Sequence, residues 1–291
     1  MSEIVLIDGH EIHLADPVKV AESVFVGRRK ELDLCRAAWC VATSERKGYQ
    51  LKTDGVIPLH FRLQGMPGVG KNELVYELAR QLRMPLYVIQ GHAELTPEDL
   101  ALLLVPDADA SCSQSVPLVL RASPLATALY KGGLCFFDEI NRVSERALSP
   151  LASVLDRRQS IYSAMTGISI GPSDDISRST FRFCCALNPA LSSAGSVLPE
   201  FIEQRTLPVI HLEFPPLDDL RQILKLALRC TDRTLDSFSR WHSARDPAEI
   251  SVRQAIAMVS FALSQTGGGA SLLEVLDATE SLFLGDGRVK A

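Results

Sequence analysis

The sequence predicts an α/β fold: a parallel sheet between two layers of helices, forming a three-layer core, followed by a small all-helical lid domain. Three observations lead to this prediction. A glycine-rich segment near residue 65 connects a strand-like stretch to an amphipathic stretch. Two later apolar stretches end in polar residues, which is typical of buried parallel strands with a site at their carboxyl ends. From about residue 215 onward, apolar residues recur only at helical spacing.

The glycine-rich segment Gly65–Asn72 reads Gly-Met-Pro-Gly-Val-Gly-Lys-Asn. It follows the alternating stretch 59–64 and precedes an apolar helical face. Strand, glycine turn and helix are the context of a phosphate-binding loop, because the backbone N–H groups and the helix start attract an anion. Such a turn can also be purely structural, but both flanks favour phosphate binding. The predicted phosphate ligands are Gly65, Pro67, Gly68, Val69, Gly70, Lys71 and Asn72.

Asn72 departs from the usual pattern of such a loop, in which a Ser or Thr hydroxyl coordinates magnesium. An amide oxygen can also coordinate magnesium, but it reaches further and is a different donor. We therefore expect Asn72 to be a metal ligand. Nucleotide binding should survive this replacement, and metal placement is the property that it puts at risk.

Composition narrows the possible function classes. The chain has 291 residues, of which 46% are hydrophobic, enough for one large or two modest domains. Its formal net charge of −5 argues against a general nucleic-acid binder. No stretch approaches the roughly 20 apolar residues of a membrane span, and the N-terminus lacks a signal-peptide pattern, so we expect a cytoplasmic protein. The seven cysteines contain no C-x-x-C pair, which favours reduced thiols over a zinc site.

The part of the chain before the phosphate loop is predicted to contain an N-terminal extension, residues 1–23, with a small hairpin at 4–14. A helix is predicted from about Lys30 to Ser44. Val26 and Gly27 lie just before it and are expected to form a wall for the adenine base. The alternative is an ordinary loop.

Three segments are predicted as connections or insertions. Residues 45–57 are predicted to form an exposed connection, and residues 105–117 are predicted to form a mobile loop or a hairpin. Residues 160–180 are predicted to form a hairpin with a loop tip. Two helix starts are also predicted, one with Thr96 as N-cap and one at Ser144.

Polar residues end two predicted central strands. Leu134–Phe137 are apolar and run into Asp138 and Glu139. We expect Asp138 to hold magnesium, largely through water, and Glu139 to orient and polarise the attacking water. The stretch 181–187 ends at Asn188, which can bond the γ-phosphate or that water. The alternative for Asn188 is a simple turn before proline.

The remainder of the chain is predicted to be a short helix at 198–205, a last strand at 209–212 and four helices. The third of these helices starts at Ser251, and the fourth starts with the capping-box pattern of Ser271 and Glu274. The domain prediction is therefore an extension at 1–23, an α/β nucleotide-binding core at 24–214 and a helical lid at 215–291.

Together, the segments 65–72, 136–142 and 188–189 resemble AAA+ ATPases of the MoxR type, and more closely the branch of small proteins such as CbbQ and NorQ. Further similarity lies in the segments 90–100, 123–133 and 198–205, so the resemblance covers roughly residues 24–260. It implies the AAA+ form of the P-loop fold, with ATP and Mg²⁺ as cofactors and a hexameric ring of identical subunits.

The resemblance also implies roles for three polar residues. Asn188 resembles the first sensor, Arg205 the arginine finger that reaches into a neighbouring subunit's site, and Arg253 the second sensor on the lid. Thr206 follows Arg205 where the family usually has an aromatic residue, and this departure, like Asn72, puts the rate in doubt more than the fold.

The leading functional hypothesis is an ATP-hydrolysing remodelling or maturation factor, chaperone-like, acting on a client protein together with a von Willebrand A-domain partner. A second hypothesis is a nucleotide-gated assembly scaffold with weak hydrolysis, for which Asn72 is the motive. A third is a GTP- or ATP-dependent subunit of a nucleic-acid-directed defence system, which Leu187-Asn188-Pro189 and the acidic balance disfavour. Magnesium chelatase and gas-vesicle ATPase subunits remain sister interpretations.

Overall fold

The computed structural model describes residues 3–44, 48–52, 57–107, 117–189, 197–245, 250–266 and 271–284. The chain divides into two compact units. The first unit comprises Met1–Ala21, Leu32–Gln64 and Val75–Ile210, and the second comprises Glu22–Glu31, Gly65–Leu74 and His211–Ala291.

The described residues contain both strands and helices, and from Leu217 onward they contain helices without strands. The strands are β1 (Ile4–Ile7), β2 (His10–His13), β3 (Val41–Ser44), β4 (Gly48–Leu51), β5 (Phe61–Gly65), β6 (Leu86–Gln90), β7 (Leu102–Pro106), β8 (Leu118–Ala122), β9 (Leu134–Asp138), β10 (Ile161–Tyr162), β11 (Ser169–Ile170), β12 (Arg182–Leu187) and β13 (Val209–Leu212). The helices are α1 (Arg29–Ala38), α2 (Lys71–Leu82), α3 (Pro124–Lys131), α4 (Glu145–Leu148), α5 (Leu151–Val154), α6 (Asp175–Thr180), α7 (Glu200–Arg205), α8 (Leu217–Leu228), α9 (Asp232–Ser243), α10 (Val252–Gln265) and α11 (Leu272–Leu284).

The central sheet has five strands in the order β13-β5-β12-β9-β6. Strand β12 pairs in parallel with β5 and β9, and β6 pairs in parallel with β9. Every residue of β9 and β12 is buried, as expected of central parallel strands covered on both faces. The prediction of a parallel sheet flanked by helices is confirmed, and the apolar strand predicted at Leu134–Phe137 is present and extends by one residue to Asp138.

A second sheet, of four strands in the order β1-β2-β8-β7, was not predicted as a sheet. The N-terminal hairpin is present, with Ile4 opposite His13, and β2 pairs in parallel with β8. Strands β7 and β8 are antiparallel. The described part of 105–117 therefore agrees with the hairpin alternative, and residues 108–116 lie outside the described residues.

Two helix predictions before the acidic strand are wrong in extent. The helix predicted to reach Ser44 ends at Ala38, because Cys40 adopts a left-handed φ of 56° and β3 then pairs with β4. Strand β4 lies within the exposed connection predicted at 45–57, so part of that segment is a strand instead. Residues 45–47 and 53–56 of the segment are not described. After Thr96 only one 3₁₀ turn forms, at Glu98–Leu100. The Thr96 hydroxyl bonds the Asp99 carboxylate at 2.7 Å, so it turns the chain without starting an α-helix.

Two segments after the acidic strand also differ from prediction. The helix predicted from Ser144 has the expected N-cap, but it splits into α4 and α5 at Pro150, which lacks a backbone N–H. The segment 160–180 forms the predicted hairpin, β10 with β11, and then the unpredicted helix α6. Asp174 caps α6 through a 2.6 Å bond from the Ser177 N–H, a local signal that sequence reading overlooked.

Helices α8 to α11 lie in the second unit and share an apolar core. Its fully buried members are Leu220, Leu224, Leu235, Phe238, Trp241, Ile250, Ala255, Met258, Val259, Ala262 and Leu276. The predicted caps are present, since Ser251 forms a capping box with Gln254 and Ser271 exchanges bonds with Glu274. This confirms a helical C-terminal region. Among the described residues, no helix combines the length and apolarity that crossing a bilayer needs.

Candidate functional site

The glycine-rich segment forms a tight loop in the second unit, between the end of β5 and the start of α2. Gly68 and Gly70 adopt φ angles of 79° and 98°, a region that glycine enters without steric cost. Lys71, the first residue of α2, is buried, and its ammonium donates to the carbonyls of Gly65 at 2.7 Å and Met66 at 3.1 Å. The loop therefore holds a positive charge at a helix N-terminus, as an anion site requires.

The loop contacts the start of helix α10 within the second unit. An added Cβ on Gly68 would lie 2.9 Å from the Ser251 hydroxyl and 3.2 Å from the Arg253 Cβ. Ser251 is the N-cap of α10, and Arg253 is the second residue of that helix. The structure thus brings Arg253, predicted as the second sensor, next to the phosphate loop.

Arg28 connects three segments of the second unit, and sequence reasoning did not select it. Its guanidinium donates to the carbonyl of Val69 in the loop at 3.0 Å and to the carbonyl of Glu213, and it pairs with Glu31 at 2.9 Å. It directly follows Gly27, so these contacts bring the predicted adenine wall next to the phosphate loop. Its position directly after the predicted wall was visible in the sequence. Its bonding partners were not, because any residue has a backbone carbonyl and the acceptors therefore leave no sequence signal.

Asn72 is the second residue of α2 and is half-buried. Its amide oxygen and the carboxylate of Asp138 are both hard oxygen donors of the kind magnesium accepts. Asp138 ends β9 and is only 8% exposed. Each of these two donors, taken by itself, has the chemistry that magnesium requires.

Glu139 is held by two neighbours in the first unit. Gln90 donates its amide to Glu139 Oε2 at 2.8 Å, and Arg142 approaches the same oxygen at 3.2 Å. Glu139 adopts a left-handed φ of 52°, and an added Cβ on Gly91 would lie 2.4 Å from its carbonyl oxygen. Both side-chain contacts use Oε2, and no hydrogen bond from a described residue reaches Oε1. Sequence reasoning missed Gln90 and Arg142 as partners of the predicted base.

Asn188 follows β12, which pairs directly with β9. Its carbonyl accepts a 3.3 Å bond from the buried amide of Asn141, in the 3₁₀ turn after Glu139. The structure therefore brings the predicted sensor next to the segment that carries the acidic pair.

Arg205 is the last residue of α7, and its guanidinium donates to the Phe201 carbonyl at 3.0 Å. It also lies in electrostatic range of Asp156. The pKa of Asp156 lies below its usual range because the Arg158 guanidinium bonds it, and Arg205 adds to the effect. The Arg205 guanidinium is therefore hydrogen-bonded within its own helix and lies near the carboxylate of Asp156.

The buried cysteines do not offer a thiolate. Cys135, Cys184 and Cys185 are free and fully buried in β9 and β12. Burial raises the pKa of Cys185 to about 12 and raises the pKa of the other two as well. Within the described residues, no group of three or more His, Cys, Asp or Glu side chains is arranged to hold a metal ion.

Comparison with known proteins agrees with this geometry. The family model of the AAA domain, dynein-related subfamily, matches residues 60–205, half of the chain, and this range includes Lys71, Glu139, Asn188 and Arg205. The denitrification regulatory protein NirQ of Pseudomonas aeruginosa is 25% identical over 162 residues, covering 56% of this chain and 57% of NirQ. NirQ of Stutzerimonas stutzeri is 23% identical, covering 56% of this chain and 54% of that relative. The chain therefore spans a little over half the length of these relatives.

Solved structures show the same fold at low identity. RuvB of Thermotoga maritima, described as a Holliday junction branch migration motor, gives a TM-score of 0.55 at 17% identity, covering 89% of this chain and 70% of RuvB. A P-loop fold with a helical C-terminal region is thus common to both. The similarity to NirQ agrees with the resemblance to the NorQ-like branch. From the family match and the geometry of its loop and acidic strand, the chain belongs to the AAA domain family, dynein-related subfamily.

Proposed function

We propose that this chain is a MoxR-type AAA+ ATPase that binds ATP with Mg²⁺, hydrolyses it and uses the cycle to remodel or mature a client protein. The observation that carries the proposal is the phosphate loop: a buried lysine, Lys71, in a glycine loop whose Gly68 contacts the first turn of α10. A loop that touches the helical region at Ser251 and Arg253 can transmit the presence of a γ-phosphate to that region directly.

The acidic strand supplies the hydrolytic groups in this proposal. Asp138 holds magnesium, which neutralises phosphate charge when bound. Glu139 accepts the proton of the attacking water at Oε1, while Gln90 and Arg142 fix its other oxygen. Asn188 orients the water or the γ-phosphate from the adjacent strand. Each role uses the polarity and position of the chain's own side chains.

Arg205 acts in trans in this proposal, within a cytoplasmic hexameric ring that works with a client and a von Willebrand A-domain partner. Arg253 acts as the sensor on the lid. An arginine at the γ-phosphate is worth about 10³ to 10⁵ in rate in related phosphoryl-transfer enzymes. Activity should therefore depend on assembly. NirQ is named as a regulatory protein, which is compatible with action on another protein or complex but does not specify the client.

Magnesium-dependent ATP turnover, measured against protein concentration, tests the hydrolysis and the ring. We expect the specific rate to climb with concentration and to vanish in Glu139→Gln and in Arg205→Ala, while the exposed control Arg233→Ala keeps it. Mixing the two inactive variants tests whether Arg205 acts in trans. If it does, the mixture should regain activity at sites that combine the intact Glu139 of one subunit with the intact Arg205 of its neighbour. A mixture that stays inactive, although both variants bind ATP and assemble, would refute the trans role.

The remodelling part of the proposal requires a conformational response. Hydrogen exchange at the first turn of α10 should differ between the ATP and ADP states, because this turn contacts Gly68. The Glu139→Gln variant allows the ATP state to be held during the measurement. If ATP binds and no exchange rate changes anywhere, the chain does not work as a remodelling motor.

A nucleotide-gated scaffold is the second candidate, and Asn72 favours it. If the amide is a poor magnesium ligand, ATP binds and supports assembly while turnover stays near zero. Asn72→Thr restores the usual hydroxyl and discriminates the two functions. Competition of GTP against ATP for binding tests the remaining alternative, the GTP-dependent subunit of a defence system.

A further inference from the structure

A carboxylate lies directly against the backbone of Gly27 in the second unit. Gly27 has a left-handed φ of 72°, and an added Cβ would lie 2.1 Å from Asp219 Oδ2 and 2.7 Å from its Cγ. No side chain can occupy that space while Asp219 keeps its position. Asp219 comes from the first turn of α8, far along the chain, so this contact is a feature of the tertiary fold.

The carboxylate of Asp219 has no donor within the part of the chain that the structure describes. It is half-buried, and no hydrogen bond or ion pair joins it to another described residue. An ionised carboxylate accepts at two oxygens, and losing water without gaining a donor is costly. The N-terminal dipole of α8 offsets part of that cost but supplies no directed bond. Its neighbour Asp218 is exposed to solvent.

Arg28 shows where this carboxylate lies relative to the phosphate loop. It directly follows Gly27 and donates to the carbonyl of Val69 at 3.0 Å. Gly27 is therefore one residue away from a direct bond to the loop. A nucleotide with its phosphates in the loop extends its base away from them by the length of a ribose, toward the residues that border the loop.

We propose that Asp219 is the residue that selects adenine over guanine at this site. Its carboxylate accepts a hydrogen bond from the 6-amino group of adenine, a donor that fills its unmet capacity. Guanine carries a carbonyl oxygen at the same position, so two acceptors face each other and one remains unpaired. This inference rests on the proposed ATP binding and adds the determinant of base selectivity.

Equilibrium binding of nucleotides tests the proposal. ATP, GTP and purine riboside triphosphate, which lacks the 6-amino group, compete against a ribose-labelled ATP analogue on the wild-type chain and its variants. Asp219→Ala removes the acceptor, and Asp219→Asn adds a donor that can face the guanine oxygen. Asp218→Ala and Asp218→Asn change the same charge one residue away on the same helix turn. Thermal melting of each variant establishes that it is folded.

We expect the wild-type chain to prefer ATP over purine riboside triphosphate by about tenfold or more. Asp219→Ala should reduce that preference to near unity, and Asp219→Asn should shift the ATP-to-GTP ratio toward GTP by at least about tenfold. The Asp218 variants should match the wild type. Unchanged ratios in both Asp219 variants, with ATP still bound, would overturn the selectivity assignment alone. A wild-type chain that binds none of the three nucleotides would overturn the proposed function and this inference together.

Discussion

Arg28 offers the sharpest test of how the phosphate loop is supported. Its side chain is 11% exposed, and its guanidinium bonds the carbonyls of Val69 and Glu213 and the carboxylate of Glu31. The change Arg28→Met keeps an apolar stem of similar length and removes all three bonds. Because one of those bonds is made to the loop itself, we expect ATP affinity to fall by more than the loss of overall stability alone would cause.

The expected size follows from the bond to Val69. A hydrogen bond from a charged donor contributes about 1.5–3 kcal/mol, so losing it should shift the loop toward conformations that do not bind ATP by about tenfold to a hundredfold. The apparent dissociation constant rises by at most the same factor, since only the competent fraction binds. Losing the bonds to Glu213 and Glu31 adds to the instability of the second unit without a further direct effect on the loop.

Arg36→Met is the matched control for this measurement. Arg36 is similarly shielded, at 15% exposed, and its guanidinium bonds Gln81 and Asp33 instead of a loop carbonyl. Both variants should lower the melting temperature by a few degrees. Titration with ATP at a temperature where both are folded should then show weakened binding only for Arg28→Met. Equal ATP affinity in the two variants would refute a positioning role for Arg28.

Three further changes have defined outcomes. Gly68→Ala should weaken ATP binding, because the φ of 79° at this position costs an alanine about 1–2 kcal/mol and the methyl would meet the Ser251 hydroxyl at 2.9 Å. Gly48→Ala is the control, since Gly48 has a similar φ of 70° but open space around it. Equal ATP affinity in the two variants would show that the contact with Ser251 is irrelevant. Asn72→Thr should raise magnesium-dependent turnover by about tenfold or more if the amide weakens metal binding, and unchanged turnover would show that the amide is a competent ligand. Burial, assisted by the nearby Arg182 charge, lowers the pKa of His60 from 6.5 to about 4. Below pH 6.5 the unfolded chain therefore binds a proton at His60, whereas the folded chain does not bind one there until the pH approaches 4. Stability should therefore fall between about pH 6.5 and 4, by about 3 kcal/mol, and His60→Gln should flatten that part of the unfolding free-energy profile; an unaltered profile would contradict the assignment.

Local chemistry explains which elements could be predicted. The run Leu134–Phe137 is uniformly apolar and ends abruptly at Asp138, so both the burial of β9 and its end are written in consecutive residues. Ser251 and Ser271 are cap residues whose partners lie three positions away, and both caps form. The phosphate loop is equally local, since its glycines and Lys71 are contiguous.

Contacts between distant segments explain what was missed. Strand β2 pairs with β8 across more than a hundred residues, and neither strand carries a pattern that names its partner. Gln90 contacts Glu139 from the neighbouring strand for the same reason. The helix ending at Ala38 was overextended because a single residue, Cys40, turns left-handed where its side chain gives no reason to expect it. Register and long-range pairing depend on tertiary packing, which one sequence does not encode in any short window.

Three glycines show how the phosphate loop and the helical region come to share one compact unit. A Cβ on Gly27 would meet Asp219 Oδ2 at 2.1 Å, one on Gly65 would meet the Leu212 carbonyl at 2.4 Å, and one on Gly68 would meet the Ser251 hydroxyl at 2.9 Å. Each absent side chain makes room for a residue from position 212 onward. Gly70, also in the loop, faces open space and has a φ of 98°, so it serves backbone curvature alone.

Glycine in a phosphate loop is usually explained by the curl that it allows around an anion. In this chain, Gly65 and Gly68 have a second requirement, because a side chain at either position would push away the segment that begins with Leu212. The domain boundary predicted between residues 214 and 215 rests on a change of hydrophobic periodicity. It does not reveal this second requirement, because periodicity indicates which secondary-structure elements form and not which residues they contact. A substitution at Gly70 should therefore affect phosphate binding alone, whereas one at Gly68 should also loosen the first turn of α10.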